Sequence, residues 1–407
     1  MVAQRILLII LLIFSKNLAG QNFAFDLPEG RKTLSANFEN FDNMVVLQFM
    51  LEDSIPIKLI LDSGIEGIIL TDPALVNYYE SACIRNFKLT APGTSTSLEA
   101  CYTSLVKLRY KSMQSISSNL ILLKEDQFSL DAFIGTKVHG LIGLDKFRNL
   151  VVTINYDINT LRFTRPENYK LPMHADVIPI NILRGRPYMT ARLELDTKEI
   201  RDLWLMIDSG ANHPILLETD STDTYQPLKS LETTIGRGLG GIISGAFVRS
   251  GWLLIGNSRL DNIITSISSE YIGGTQATRN FRHGTLGSAA LSRFRVSFDY
   301  TNNRLILTRG RKFKEPFEYN MSGITFESLT VGFNIFKVSE VIKESPAQQA
   351  GVKQGDILMS VNQKPAFSLN LGELNAIVSS RPGTPVTLVI SRDGRLMTFK
   401  FKLKRLI

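Results

Sequence analysis

Short apolar runs, broken by polar or glycine-containing turns, extend over most of the chain and predict β structure. Residues 22–168 follow this pattern with few helical stretches. Residues 45–51 and 55–61 form two such runs, and the polar residues 52–54 between them indicate a turn. We therefore expect a mainly β protein.

One pattern of twelve residues occurs twice. In residues 59–70 and again in residues 205–216, an apolar run leads into Asp-Ser-Gly and further apolar residues follow. This order places Asp62 and Asp208 at the sharp turn that ends a buried strand. Glycine segments follow at 140–143 and 284–287, offset by 144 positions (284 − 140), and the aspartates are offset by 146 (208 − 62). The shared order and spacing predict an internal duplication, with lobes at 21–170 and 171–310.

The pattern changes near residue 322, after a charged linker at 311–321 that offers little to bury. Ser345 is expected to cap a short helix in which Pro346 occupies the first position and Gln348 completes a capping box, and Gly351 should end that helix. A second helix is expected to begin after Asn370. Two strands, 386–391 and 397–403, then meet at an Asp-Gly turn. Residues 322–407 thus form a separate α+β domain.

The N-terminus has the pattern of a secretory signal peptide. Arg5 precedes an apolar run at 6–14, and small residues precede a cleavage site expected after Gly20. No other stretch is long enough to span a bilayer. We therefore expect signal peptide 1–20 and an exported protein, periplasmic or secreted, with no transmembrane helix after signal removal.

Composition narrows the partners further. The 407 residues carry a formal charge of +8, but the basic residues are scattered, so no nucleic-acid partner is expected. The four histidines lack ligand spacing, so we expect neither a metal nor a cofactor. Cys83 and Cys101 form either a disulfide, which an oxidising compartment favours, or two free buried thiols.

The two aspartates predict acid–base chemistry. Two carboxyls held close together share a proton, so that one can accept a proton from water while the other polarises a carbonyl. Hydrogen bonds from Ser63 and Ser209 can lock the two turns to each other, and Gly64 and Gly210 allow the backbones to approach closely.

The duplicated Asp-Ser-Gly with its glycine segments resembles the bilobal aspartic proteases of the pepsin and retropepsin-like class. The motif Ser-Pro-Ala-x-x-Ala-Gly-x-x-x-Gly-Asp-Ile-Leu, which begins at Ser345, is similar to bacterial PDZ domains. Together they resemble the bacterial PDZ-containing aspartyl proteases. This resemblance implies two pseudo-twofold-related β-barrel lobes and a C-terminal PDZ domain. It also implies an exported endopeptidase that hydrolyses a polypeptide substrate through Asp62, Asp208 and an activated water.

The sequence departs from this family at Ile65, where pepsins usually have a small residue after the first Asp-Ser-Gly. An alternative is therefore a catalytically inactive protease fold that acts as a peptide-binding module. The candidate flap residues over the cleft belong to two glycine-containing turns and are Gly93, Gly238, Gly240 and Gly241. In the PDZ domain, the loop expected to bind a peptide C-terminus contains Val331, Gly332 and Phe333.

Overall fold

A computed structural model describes residues 23–89, 97–124, 130–218, 225–268, 282–330 and 333–407. The predicted signal peptide, the candidate flap residue Gly93, and Val331 and Gly332 of the predicted PDZ loop lie outside these residues.

Strands make up most of the described secondary structure. Strands β1–β11 are Thr33–Asn37, Glu39–Phe41, Met44–Leu51, Ile55–Asp62, Ile68–Leu70, Cys83–Leu89, Leu98–Arg109, Ile116–Leu123, Gly140–Gly143, Val151–Asn155 and Thr160–Thr164. Strands β12–β24 are Asp176–Pro179, Asn181–Leu183, Arg186–Glu194, Ile200–Asp208, Ile215–Glu218, Leu231–Gly238, Gly241–Arg249, Trp252–Ile255, Ser258–Asp261, Ile264–Ser268, Gly284–Gly287, Phe294–Asp299 and Arg304–Arg309. Strands β25–β30 are Ile324–Thr330, Phe333–Val341, Ile357–Val361, Lys364–Pro365, Pro385–Arg392 and Arg395–Lys402. The mainly β prediction is confirmed.

The helices are short. Helices α1–α5 are Pro73–Tyr79, Leu130–Ile134, Ser288–Leu291, Pro346–Ala350 and Leu371–Val378. Single 3-10 turns occur at Glu80–Ala82, Leu144–Phe147, Pro166–Asn168, Arg311–Lys314 and Ala366–Ser368.

The two halves of the chain share one sheet. Its order is β1-β11-β10-β23-β24-β12, so strands of the first half and of the second half meet at the antiparallel pair β10 and β23. Thr153 lies opposite Ser297 in this pair, and their hydroxyl oxygens are 2.8 Å apart. These two positions are related by the 144-residue offset (297 − 153), so the duplicated segments meet at equivalent residues.

Each half also has a sheet of its own, and the two sheets repeat one local arrangement. In the first half, β9 lies between β4, to which it is parallel, and β5, to which it is antiparallel. In the second half, β22 lies in the same way between β15 and β16. The register is equivalent as well, because Asp62 lies opposite Gly143 and Asp208 lies opposite Gly287.

The C-terminal segment folds around its own hydrophobic cluster, which is separate from the main cluster formed by both halves. Its sheet has the order β25-β26-β27-β29-β30, so β25 is an edge strand. Asn370 and Glu373 form a complete capping box at the start of α5. At α4, the Ser345 side chain caps the helix as predicted, but Gln348 accepts its hydrogen bond from the N–H of Glu344. The predicted capping box at Ser345 is therefore wrong by one residue.

The segment between the second half and the C-terminal domain buries more than its sequence suggested. Phe317 is 4% exposed and packs in the main cluster, beneath the guanidinium of Arg293. Met321 is 1% exposed and belongs to the C-terminal cluster. Ile407 also returns to the main cluster, and its carbonyl accepts hydrogen bonds from Arg249. The expectation that residues 311–321 bury little is wrong, because Phe317 packs in the main cluster and Met321 packs in the C-terminal cluster.

Candidate functional site

The two Asp-Ser-Gly turns lie against each other. Asp62 ends β4 and Asp208 ends β15, and each strand is held by the parallel glycine-containing strand beside it. A methyl group built on Gly64 would lie 2.6 Å from Oδ2 of Asp208, and one built on Gly210 would overlap the Asp62 carboxyl in the same way. Glycine is therefore required at both positions by the close approach of the opposite carboxyl.

The serines of the two turns bond across the boundary between the halves. Ser63 donates its hydroxyl to the carbonyl of Ile207 at 2.8 Å, and Ser209 donates to the carbonyl of Leu61 at 2.9 Å. Each hydroxyl also accepts the backbone N–H of the other serine, at 3.0 Å and 2.9 Å. Both side chains are fully buried. These bonds fix the separation and orientation of the two turns.

Backbone groups orient each carboxyl. The N–H of Gly64 donates to Oδ1 of Asp62 at 2.6 Å, and the N–H of Gly210 donates to Oδ1 of Asp208 at 2.9 Å. The carboxyl of Asp208 lies near enough to that of Asp62 to raise the pKa of Asp62. In each carboxyl the glycine N–H binds Oδ1 and leaves Oδ2 without this bond.

Burial raises the pKa of Asp62 well above its usual value, and the neighbouring charge and hydrogen bond of Asp208 raise it further. The N–H of Gly64 and the charge of Arg186 oppose this shift. Two carboxyls in contact cannot both ionise easily, so the pair retains one proton over a wide pH range. Such a pair can donate a proton and accept one at the same site.

Two further residues beside the pair were not singled out from the sequence. Arg186, the first residue of β14, acts electrostatically on Asp62, and its Nε is buried without a hydrogen-bond partner among the described residues. His213 lies in the loop after Asp208, and burial lowers its pKa to about 4. The proximity of His213 to Asp208 in the sequence is a signal that could have identified it, whereas no sequence signal marks Arg186.

The histidines before the glycine segments have a structural role. Nδ1 of His139 accepts the backbone N–H of Lys58 at 3.0 Å, and Nδ1 of His283 accepts the backbone N–H of Trp204 at 2.9 Å. The equivalent bonds extend the strand pairing beside each Asp-Ser-Gly turn. In the described ranges, histidine hydrogen bonds go to backbone groups and none joins a histidine to a serine hydroxyl. Over the same residues, no group of three or more His, Cys, Asp or Glu side chains is placed to hold a metal ion.

A hairpin of the second half reaches across to the first half. We call β17 and β18, with their connecting turn, the cover hairpin. Gly238 ends β17, Gly240 lies in the turn and Gly241 begins β18. Leu239 at its tip packs against two clusters of the first half, and both clusters also contact Ile65. Ile65, three positions after Asp62, and the hairpin tip therefore pack against the same two clusters.

The remaining predicted residues lie away from the carboxyl pair. Cys83 and Cys101 are joined by a disulfide, with their Cα atoms 5.8 Å apart, and this bond connects β6 to β7. Phe333 begins β26 and is 67% exposed. It follows the connection between two paired strands, whereas β25 lies at one edge of the sheet.

Comparison with known proteins assigns the C-terminal fold. A family model described as "PDZ domain" matches residues 337–392. The chain contains a PDZ domain. The prediction from the Ser345 motif is confirmed. In this PDZ domain, β25 forms an edge of the sheet and α5 lies beside that strand.

Curated relatives match over this region. "Serine endoprotease DegS" of Salmonella typhimurium is 38% identical over 63 residues, which are 16% of this chain and 17% of that protein. A protein of Thermotoga maritima named as a zinc metalloprotease is 39% identical over 69 residues, 16% and 13% of the two chains. A DegP-like periplasmic serine endoprotease of Chlamydia trachomatis is 43% identical over 58 residues, 14% and 12% of the two chains. The chain thus spans less than a fifth of each of these relatives.

These relatives contradict the predicted exported aspartic endopeptidase with an Asp62 and Asp208 dyad. The named endoproteases are of the serine type, and their similarity to this chain lies in the PDZ region. The prediction is therefore wrong. The similarity between this chain and peptide hydrolases lies in the PDZ domain, and it does not support an aspartic catalytic mechanism.

Among solved structures, the crystal structure of Basic 7S globulin from soybean covers 71% of this chain and 99% of that chain at 9% identity. The TM-score of 0.37 is too low for an inference about the fold. Among the described residues, no helix is both long and apolar enough to cross a bilayer.

Proposed function

We propose that the protein binds polypeptide segments through its PDZ domain and that Asp62 and Asp208 form its acid–base pair. PDZ domains bind peptides by adding an extended strand to a sheet edge. The edge strand β25 and the neighbouring helix α5 supply that edge here. The relatives that share the domain are named as proteases, which favours polypeptide as the ligand class.

The observation that supports the acid–base pair is the mutual approach of the two buried turns. Four hydrogen bonds between Ser63 and Ser209 and the opposite strands hold the carboxyls together. Burial of like charges raises the pKa of Asp62, so one proton remains between them. Ser63, Gly64, Ser209 and Gly210 are proposed as supporting residues.

We further propose that 21–170 and 171–310 are two lobes of the bilobal aspartic-protease fold, derived by duplication. The equivalent placement of β9 and β22 and the shared sheet support this assignment. The fold assignment concerns architecture and is independent of any reaction.

Export to the periplasm is proposed from two observations. The first 20 residues have the composition of a signal peptide. A PDZ relative from Chlamydia trachomatis carries the word periplasmic in its name. The test is to fractionate cells that express the full chain and to sequence the N-terminus of the exported form. Protein that stays in the cytoplasm with its first 20 residues intact contradicts the proposal.

Peptide binding and the acid–base pair are tested separately. Titration of the full-length protein into a fluorescein-labelled octapeptide with a free carboxylate should give saturable binding. If the protein binds no peptide from a degenerate pool, the proposal that its ligand is a peptide is contradicted. For the pair, a nuclear magnetic resonance titration of the aspartate carboxyl groups should show one aspartate that keeps its proton well above the ordinary pKa of 3.8, and Asp208→Asn should lower that transition. A transition at the ordinary value in the parent protein contradicts the pair.

A further inference from the structure

The edge of the PDZ sheet is covered by a segment of the first half. Helix α2, Leu130–Ile134, contacts β25, which is the edge strand. A methyl group built on Gly135, the residue after this helix, would lie 3.1 Å from Cβ of Leu371, the first residue of α5. Residues 130–135 therefore contact both elements that border the edge where a peptide strand would be added.

The other face of α2 points into the first half. Leu130 and Ile134, one helical turn apart, are 3% and 5% exposed and belong to the cluster that contacts Ile65 and Leu239. Ala132 lies on the face of α2 opposite Leu130 and Ile134 by helical geometry. Helix α2 is thus packed between the PDZ edge and the apolar contacts beside Asp62.

The PDZ domain also contacts the cover hairpin. The hydroxyl of Thr233 donates to Oε1 of Glu340 at 2.7 Å. Thr233 lies on β17 and Glu340 lies on β26, the strand paired with β25. The N–H of Thr234 donates to the same oxygen of Glu340 at 3.4 Å, and a cavity of about 550 Å³ beside these bonds is lined by Thr234 and Ile242 of the hairpin and by residues of the PDZ domain. The PDZ domain therefore contacts both α2 and the cover hairpin, and Leu239 of the hairpin packs against the cluster that contains Leu130 and Ile134 of α2.

We propose that residues 130–135 occupy the PDZ peptide edge in cis and that an extended polypeptide which adds to β25 displaces them. Displacement withdraws Leu130 and Ile134 from the cluster beneath Leu239, so the cover hairpin loses part of its packing surface on the first half. Peptide binding at the PDZ domain then opens access to Asp62 and Asp208. This proposal rests on the proposed peptide binding, but its main test needs no peptide.

The test measures the exposure of the hairpin tip in the full chain. The sequence has two cysteines and both are in the disulfide, so Leu239→Cys introduces a unique thiol. Its labelling rate with a fluorescent maleimide reports opening of the cover. Ala132→Arg, which inserts a long charged side chain between α2 and β25, should raise this rate several-fold. Ala376→Arg on the exposed face of α5 is the matched control and should leave the rate unchanged.

A second measurement tests occupation of the edge. A fluorescein-labelled octapeptide that alternates valine with threonine or lysine should bind the Ala132→Arg variant roughly tenfold more tightly than the parent, because less of the protein has its edge covered. Ala132→Lys repeats both measurements, and far-ultraviolet circular dichroism checks the fold of each variant.

The outcomes separate this proposal from the peptide-binding function. An unchanged labelling rate in folded Ala132→Arg overturns the link between the PDZ edge and the cover. Equal peptide affinity for variant and parent overturns the occupation in cis. Absence of peptide binding to both proteins, despite faster labelling, overturns the peptide as the displacing ligand and with it the proposed function.

Discussion

Ser63 and Ser209 exchange hydrogen bonds across the boundary between the two halves. Each hydroxyl accepts the backbone N–H of the other serine and donates to a carbonyl of the strand that leads into the opposite turn. Both serines follow an aspartate directly, so the same contacts that join the halves also set the distance between the carboxyls. Stability and site geometry are therefore coupled at these two residues.

The first prediction concerns the loss of one of these hydroxyls. Ser209→Ala removes the acceptor of the Ser63 N–H and the donor to the Leu61 carbonyl, and both groups remain buried. Each unsatisfied buried group costs about 1–3 kcal/mol, so the two groups together should lower the free energy of unfolding, measured with urea, by roughly 2–6 kcal/mol. Ser104→Ala, at an exposed position of β7, should change it by less than about 0.5 kcal/mol. Equal effects of the two substitutions would contradict the role of the cross-boundary bonds.

The second prediction follows from the raised pKa of Asp62. Because the folded state holds a proton more tightly than the unfolded state, stability should fall as the pH rises from the ordinary aspartate pKa of 3.8 toward the raised value. Asp208→Asn removes the neighbouring charge that contributes to this shift, so the decline should become smaller. Urea unfolding at successive pH values measures it, with Asp393→Asn on an exposed turn as the control. A decline of the same size in Asp208→Asn would disprove the coupling of the two carboxyls.

The third prediction has the opposite sign. Burial lowers the pKa of His213 to about 4 from an ordinary value of 6.5, so the folded state binds fewer protons in this range. The contribution of His213 to stability is therefore fully present above pH 6.5 and is lost as the pH falls through this window. A nuclear magnetic resonance titration of the imidazole should show a midpoint near 4. His213→Gln should reduce the dependence of the free energy of unfolding on pH in this window, whereas His174→Gln, at an exposed position, should leave it unchanged. A titration midpoint of the His213 imidazole near 6.5 would contradict the prediction.

The elements that the sequence predicts well are those with strong local signals. The α5 capping box depends on two side chains three residues apart, and the strand that ends at Asp62 follows from a mainly apolar run at 55–61. The equivalent placement of the two glycine strands was foreseeable from the duplicated spacing, since a repeated order of motifs implies a repeated arrangement.

Contacts between distant segments could not be predicted in the same way. Nothing in the five residues of α2 indicates that they pack between β25 and the Ile65 contacts, because that position depends on how two separately folded cores dock. The burial of Phe317 is a similar case, since a lone aromatic residue in a charged segment carries no periodicity. The influence of Arg186 on Asp62 likewise arises only from tertiary structure.

The last prediction concerns the independence of the PDZ domain. Asp356 is 1% exposed and accepts two hydrogen bonds from Arg392, at 2.6 Å and 2.8 Å. Arg392→Ala leaves this buried carboxylate without its counter-charge. For a fully buried pair such a change lowers the free energy of unfolding by about 3–5 kcal/mol, and we expect a smaller loss here because Arg392 is partly exposed. Since the PDZ residues form their own hydrophobic cluster, the loss should appear as earlier unfolding of β27 and α5 by hydrogen exchange, with β4 and β15 still protected. Arg395→Ala in the same hairpin should behave like the parent. Simultaneous loss of protection in β4 and β15 would show instead that the interface at α2 makes the two cores unfold as one unit.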